Sequence, residues 1–96
     1  MGEKYPEKLV PADNRLWLHR HINHLRQKDI SVLLSYKTPS IISRWEQGKE
    51  IPSLVNALRL SQILHSSVET LFPGLTLYLK SEIEAKEKQL HAKAYQ

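Results

Sequence analysis

Ser40, Ser43, Arg44 and Gln47 are the residues of this chain whose types and spacing carry the most chemistry. Set about 100° apart on a helix, they fall on one side, a row of hydrogen-bonding groups with nothing apolar between them. Ile42, Trp45 and Glu46 fall on the other side. A helix anchored by Ile and Trp that presents Ser, Ser, Arg and Gln outward suits the major groove of DNA. Arginine can pair bidentately with a guanine edge, and serine can serve bases or phosphates. Trp45 shares the inward side with Ile42, so it is expected in the core and not as a platform for a stacked base.

Charge points the same way. The net charge of +4 is distributed unevenly over the 96 residues. Residues 1–13 sum to −1, residues 14–50 to +4, residues 51–74 to zero and residues 75–96 to +1. The excess can be assigned to the segment holding the polar row, which also carries His19, His21 and His24. Localised positive charge favours a polyanionic partner.

Other classes of function find little support. Cysteine is absent, so there is no disulfide framework, thiolate metal site or cysteine nucleophile. His21 and His24 could share a face, but His19 points elsewhere and no acid completes a tetrahedral set, so no metal and no cofactor is expected. The histidines lack a paired carboxylate and no phosphate-cradling motif occurs, which argues against an enzyme. No apolar run approaches the roughly 18 residues of a membrane span, and Met1–Lys8 is too polar for a secretory signal. A cytoplasmic protein with no membrane partner is expected.

The elements that must position the polar row follow from local signals. Residues 1–12, with two prolines and alternating charges, read as a flexible arm. Asp13 or Asn14 can cap a first helix through Leu16, Trp17, Leu18, Arg20 and Ile22 to about Asn23. A second helix from Gln27 to Ser35 buries Ile30, Ser31 and Leu34, with Val32 and Leu33 on its flanks. After the turn Tyr36-Lys37, Thr38 serves as hydroxyl cap and Pro39 as first residue of the helix bearing the row. Gly48 stops that helix. Ser53 caps a fourth helix with the inner stripe Leu54, Ala57, Leu58, Ser61 and Leu64. Ser66 and Glu69 have capping-box spacing for a short helix through Val68, Leu71 and Phe72, ended by Pro73-Gly74. From Thr76 a sixth helix carries Leu79, Ile83 and Leu90 among mixed Lys and Glu, and Lys86 and Lys93 break any sustained heptad. No segment alternates with period two, so the fold class is all-α: five helices over residues 13–74, with a helical tail at 75–96.

At this point the chain resembles the phage-repressor/Cro-like, XRE-type helix-turn-helix family. The likeness runs through Arg20, Leu25, Gln27-Lys-Asp-Ile30, Leu34, Ile42-Ser-Arg-Trp-Glu46, Gly48, Pro52-Ser53, Leu58, Leu64, Val68 and Leu71-Phe72. Its most specific part is Ile-Ser-Arg-Trp-Glu-x-Gly followed by Pro-Ser. The resemblance implies a five-helix, lambda-repressor-like DNA-binding domain whose recognition helix lies in the major groove. It places Gln27 on a phosphate and the outermost base, Pro39, Ser40, Ser43 and Arg44 at base-reading positions, and Lys49 on a phosphate. Lys28, Thr38 and Gln47 complete the DNA-binding set. Arg20 and Glu46 would form a structural ion pair between the first helix and the recognition helix. The chain departs from the family pattern in four ways. Arg26 replaces a Ser or Thr cap, His24 and Ser35 stand where glycine is preferred, and the turn Ser35–Thr38 is one residue longer. Pro39 cannot hydrogen-bond a base edge, which concentrates readout on Arg44 and the two serines.

The function these features imply is a sequence-specific regulator of transcription on double-stranded DNA, a repressor, acting as a homodimer. The length leaves no room for a further ligand-binding domain, so regulation is expected through concentration, oligomerisation or a small protein partner. The alternative is an antitoxin-type interaction module for which DNA binding is secondary, with the tail and the N-terminal arm as partner-binding segments.

Overall fold

A computed structural model describes residues 14–94, and among these the chain is helical with no strand. Six helices follow in order: α1 (Leu16–Ile22), α2 (Gln27–Leu33), α3 (Ser40–Glu46), α4 (Leu54–Leu64), α5 (Val68–Leu71) and α6 (Pro73–Ala94). The arm expected at 1–12 and the candidate cap Asp13 lie outside the described residues.

Helices shorter than about 12–15 residues are marginal alone in water, so α1 to α5 depend on a shared core. That core joins Leu16 of α1, Ile30 and Leu34 at α2, Ile42 and Trp45 of α3, Leu60 and Leu64 of α4, and Leu71 and Phe72. Each large apolar side chain taken fully out of water contributes about 1.5–3 kcal/mol. Trp45 is the largest of them and completely buried, with Tyr36 packed edge-on at 6.2 Å between ring centroids.

Residues just outside helices lock the elements together. Asn14 accepts from the Leu16 N–H at 3.2 Å and donates to the Trp45 carbonyl at 2.9 Å, so the start of α1 is tied to the end of α3. The neighbouring Arg15 N–H donates to the Leu71 carbonyl at 2.7 Å, which brings in α5. At the turn between α2 and α3, the Tyr36 hydroxyl accepts from Asn56 of α4 at 2.9 Å.

Three short helices end in the same way. Gly48 has φ 73°, its N–H bonds the Trp45 carbonyl at 3.1 Å, and the Lys49 N–H bonds the Arg44 carbonyl at 2.9 Å. This closes α3 with a left-handed residue, the conformation glycine adopts at no steric cost. His24 closes α1 with φ 56°, and Ser35 closes α2 with φ 63°, each with an equivalent pair of bonds. Side chains with a Cβ are strained there by about 1–2 kcal/mol.

Several local expectations are corrected. Ser53 does cap α4, accepting from the Asn56 N–H at 3.2 Å, but the inner stripe is Asn56, Ala57, Leu60 and Leu64. Leu54 and Leu58 are exposed. The expected stripe was rotated by roughly 80°. Apolar residues occur nearly all round α4, so periodicity alone does not choose a face, and the Asn56–Tyr36 bond helps set it. The cap of α5 is Ser67, which accepts from the Thr70 N–H at 3.1 Å. Ser66 instead meets His19 Nδ1 at 3.0 Å, across to α1. Pro73 ends α5 and is also the first residue of α6, a position where its missing N–H costs nothing. The sixth helix therefore starts three residues before Thr76. At 22 residues it is about 33 Å long. Leu75 packs on the core, and beyond Tyr78 the described side chains are exposed, which gives the molecule its 56 × 23 × 21 Å shape.

His24→Gly and Ser35→Gly should each stabilise the fold. Relief of left-handed strain is offset in part by the greater entropy of the unfolded chain, leaving about 0.5–1 kcal/mol per site. Urea or thermal unfolding measures this, and a loss of stability in both variants would remove the strain argument.

Candidate nucleic-acid interface

The orientation of α3 is decided from beneath. Ile42 and Trp45 are buried, and Glu46, on the same side, reaches into a polar seam between α1 and α2. There Arg20 Nε donates to Glu46 Oε2 at 2.6 Å and Arg20 Nη2 to Glu46 Oε1 at 3.0 Å, a bidentate pair of nearly buried side chains. Arg20 Nη1 donates to the Leu25 carbonyl at 3.1 Å, and Gln27 Nε2 donates to Glu46 Oε1 at 3.1 Å. Both carboxylate oxygens and all three guanidinium nitrogens thus have partners. A buried pair satisfied in this way supplies geometry more than net stability, because desolvating two charges offsets most of their attraction.

With α3 fixed, its outer row is set. Ser40, Arg44 and Gln47 are exposed and Ser43 is half-buried, with no apolar side chain among them. Gln47 Nε2 donates to Ser43 Oγ at 2.8 Å, and the Thr38 and Ser40 hydroxyls share a bond of 2.7 Å. Pro39, exposed, precedes the first residue of α3, and neither it nor Thr38 supplies a side-chain cap to the helix. The expected cap is therefore corrected: the Thr38 hydroxyl is taken up by Ser40. Lys28, Lys37 and Lys49 are exposed around this row, and Gln27 is half-buried through its bond to Glu46.

The entry to α2 shows what replaces a Ser or Thr cap. Asp29 reaches back, accepting from the Arg26 backbone N–H at 2.7 Å. It also accepts from Arg26 Nε at 3.1 Å and Nη2 at 2.9 Å. These bonds, led by that from the Arg26 side chain, hold the Asp29 pKa down to about 2. The first turn of α2 is thereby ordered with Arg26 at its outer edge, its side chain 75% exposed.

Two groups at this surface escaped the sequence reading. Asn14, the link between α1 and α3, was visible only as a possible cap. Glu50 lies six residues beyond Arg44, outside helical spacing, yet the reversal at Gly48 returns it to the guanidinium at 2.9 Å. No titratable cluster fit to hold a metal ion occurs among the described residues, and no helix there is long and apolar enough to cross a membrane.

The arrangement is a short helix with a polar, exposed outer row, flanked by lysines and locked from below. It can offer hydrogen bonds and positive charge to a grooved polyanion. A family model described as Helix-turn-helix matches residues 23–71, which run from the end of α1 through α5. No curated protein and no solved structure shows a significant match.

Glu46→Ala should destabilise the fold by about 3–5 kcal/mol, because it strands the buried Arg20 guanidinium. Replacing both partners by apolar residues of similar volume should cost far less in the same unfolding assay. Asp29 gives a second, pH-dependent test. Its folded pKa of about 2 lies below the ordinary value of 3.8. Its contribution is thus fully present above pH 3.8 and lost as pH falls through about 2. Asp29→Asn should flatten the acid side of the stability profile in that window and leave neutral pH dependence unchanged.

Proposed function

The chain belongs to the helix-turn-helix family and is a DNA-binding transcription regulator of the XRE type, and we propose that it is a sequence-specific repressor that inserts Pro39–Gln47 into the major groove of its operator. The observation that carries this reading is the exposed polar row on α3 above a buried ionic anchor. Arg44 pairs with a guanine edge, Ser40 and Ser43 make adjacent base or phosphate contacts, and Gln47 extends the row. Gln27, Lys28, Thr38 and Lys49 contact the flanking phosphates. Pro39 adds only an apolar contact. Repression needs no further chemistry, since a protein seated in promoter DNA already excludes polymerase.

Action as a homodimer in the cytoplasm completes the proposal. In support, α6 carries Leu77, Leu79, Ile83 and Leu90 exposed to solvent. A two-fold dimer would read half-sites about 34–36 Å apart, so a palindromic footprint on duplexes selected from a random pool is the expected result. The same exposed residues support a second reading, an antitoxin-type module that binds a small protein partner. Stoichiometric co-purification of a protein encoded next to this one would favour it.

Two substitutions test the assignment of roles. Arg44→Ala should cost about 1–3 kcal/mol on the selected site and relax preference at one base pair. Lys49→Ala should weaken binding to all duplexes alike and reduce the salt slope by about 1. Equal losses on selected and random duplex for Arg44→Ala would remove it as base reader.

A further inference from the structure

We propose that Glu50 is a positioning residue for Arg44, fixing which edge of the guanidinium meets DNA and so narrowing the base it accepts to guanine. The inference rests on the base-reading role of Arg44 given above. Arg44 Nε donates to Glu50 Oε1 at 3.1 Å, and Nη2 lies 2.9 Å from the same oxygen in an ion pair. Those two nitrogens form one edge of the planar group. The adjoining edge, formed by Nη1 and Nη2, has only Nη2 beside the carboxylate, and it matches the O6 and N7 acceptors of guanine.

The two partners differ in surroundings. The Arg44 side chain is 51% exposed, that of Glu50 only 22%. Glu50 Oε2 is buried and finds no hydrogen-bond partner among the described residues. The carboxylate lies largely out of water in the segment between α3 and α4, and among the described residues its hydrogen-bond partner is Arg44. Most exposed ion pairs exchange freely with water, but here the carboxylate end is largely shielded from it.

Two effects on specificity follow. A guanidinium held at one edge loses less freedom when its other edge pairs with guanine. Held there, Arg44 is also kept from swinging to a phosphate, and the carboxylate itself repels the DNA backbone. Binding to non-cognate DNA is weakened while the guanine contact is kept, so discrimination is built from both sides.

The test compares wild type, Glu50→Gln, Arg44→Ala and the double variant on the selected duplex, on the same duplex with the guanine pair replaced, and on random duplex. Glu50→Gln keeps size and removes charge. Its preference for the guanine pair should fall by roughly tenfold, the order of a bidentate contact. Its affinity for random duplex should rise severalfold, with a salt slope steeper by about 0.9 as Arg44 gains a phosphate. In the Arg44→Ala background, Glu50→Gln should change preference no further. An unchanged preference overturns the proposal, as does an equal drop in the Arg44→Ala background. Parallel losses on all duplexes with a lowered melting temperature also overturn it, since they describe a structural clamp alone. If Arg44→Ala itself leaves preference intact, the base-reading role falls and this inference with it. If Arg44→Ala loses preference and Glu50→Gln retains it, only the positioning role falls.

Discussion

The buried bidentate pair between Arg20 and Glu46 is the constraint on which the outer surface of α3 depends. Glu46 is the last residue of a helix only seven residues long, too short to hold its own orientation. Its carboxylate accepts from α1 through Arg20 and from the start of α2 through Gln27, so three helices converge on two oxygen atoms. Apolar packing by Ile42 and Trp45 fixes depth, whereas the ion pair fixes rotation, because its planar fork accepts one relative direction. Asn14 adds a second tie to the end of the same helix. Rotating α3 to present another face would strand a carboxylate and a guanidinium away from water.

Around this anchor the charges are distributed to a purpose. Asp29 is joined to Arg26, Glu46 to Arg20 and Glu50 to Arg44, so every acid in the segment 14–50 has a basic partner. Lys28, Lys37 and Lys49 remain exposed beside the polar row. The local excess of positive charge is thus carried by these three lysines, which can follow a phosphate backbone, and by the exposed Arg15. Arg20, Arg26 and Arg44 are held in defined directions, in keeping with the rigidity of their planar donors.

The fold also tolerates local cost. His24 and Ser35 occupy left-handed positions that suit glycine, and the Trp45 indole N–H is buried without a hydrogen-bond partner among the described residues. These losses are spread over a core of nine buried apolar side chains. A small domain has a margin of only about 5–15 kcal/mol, so each of these sites is a real fraction of its stability. Nothing in the structure explains why Trp45 leaves its N–H unpaired.

By itself the sequence determined the helical class, the termini marked by Ser53 and Gly48, and the two faces of α3. These are set by short-range physics: hydroxyl capping, the freedom of glycine and the 3.6-residue period act within a few positions of the chain. Tertiary structure decided what local pattern leaves degenerate. The inner face of α4 was open because apolar residues nearly encircle it, and the cap of α5 was open between adjacent serines. Pro73 was legible as a break but not as a beginning, since both are consequences of one missing N–H. Glu50 was beyond reach of any periodic reading, because its approach to Arg44 depends on the reversal at Gly48 and on where the following segment packs. The row on α3 was therefore written in the chain, while the direction in which its arginine points is a property of the folded molecule.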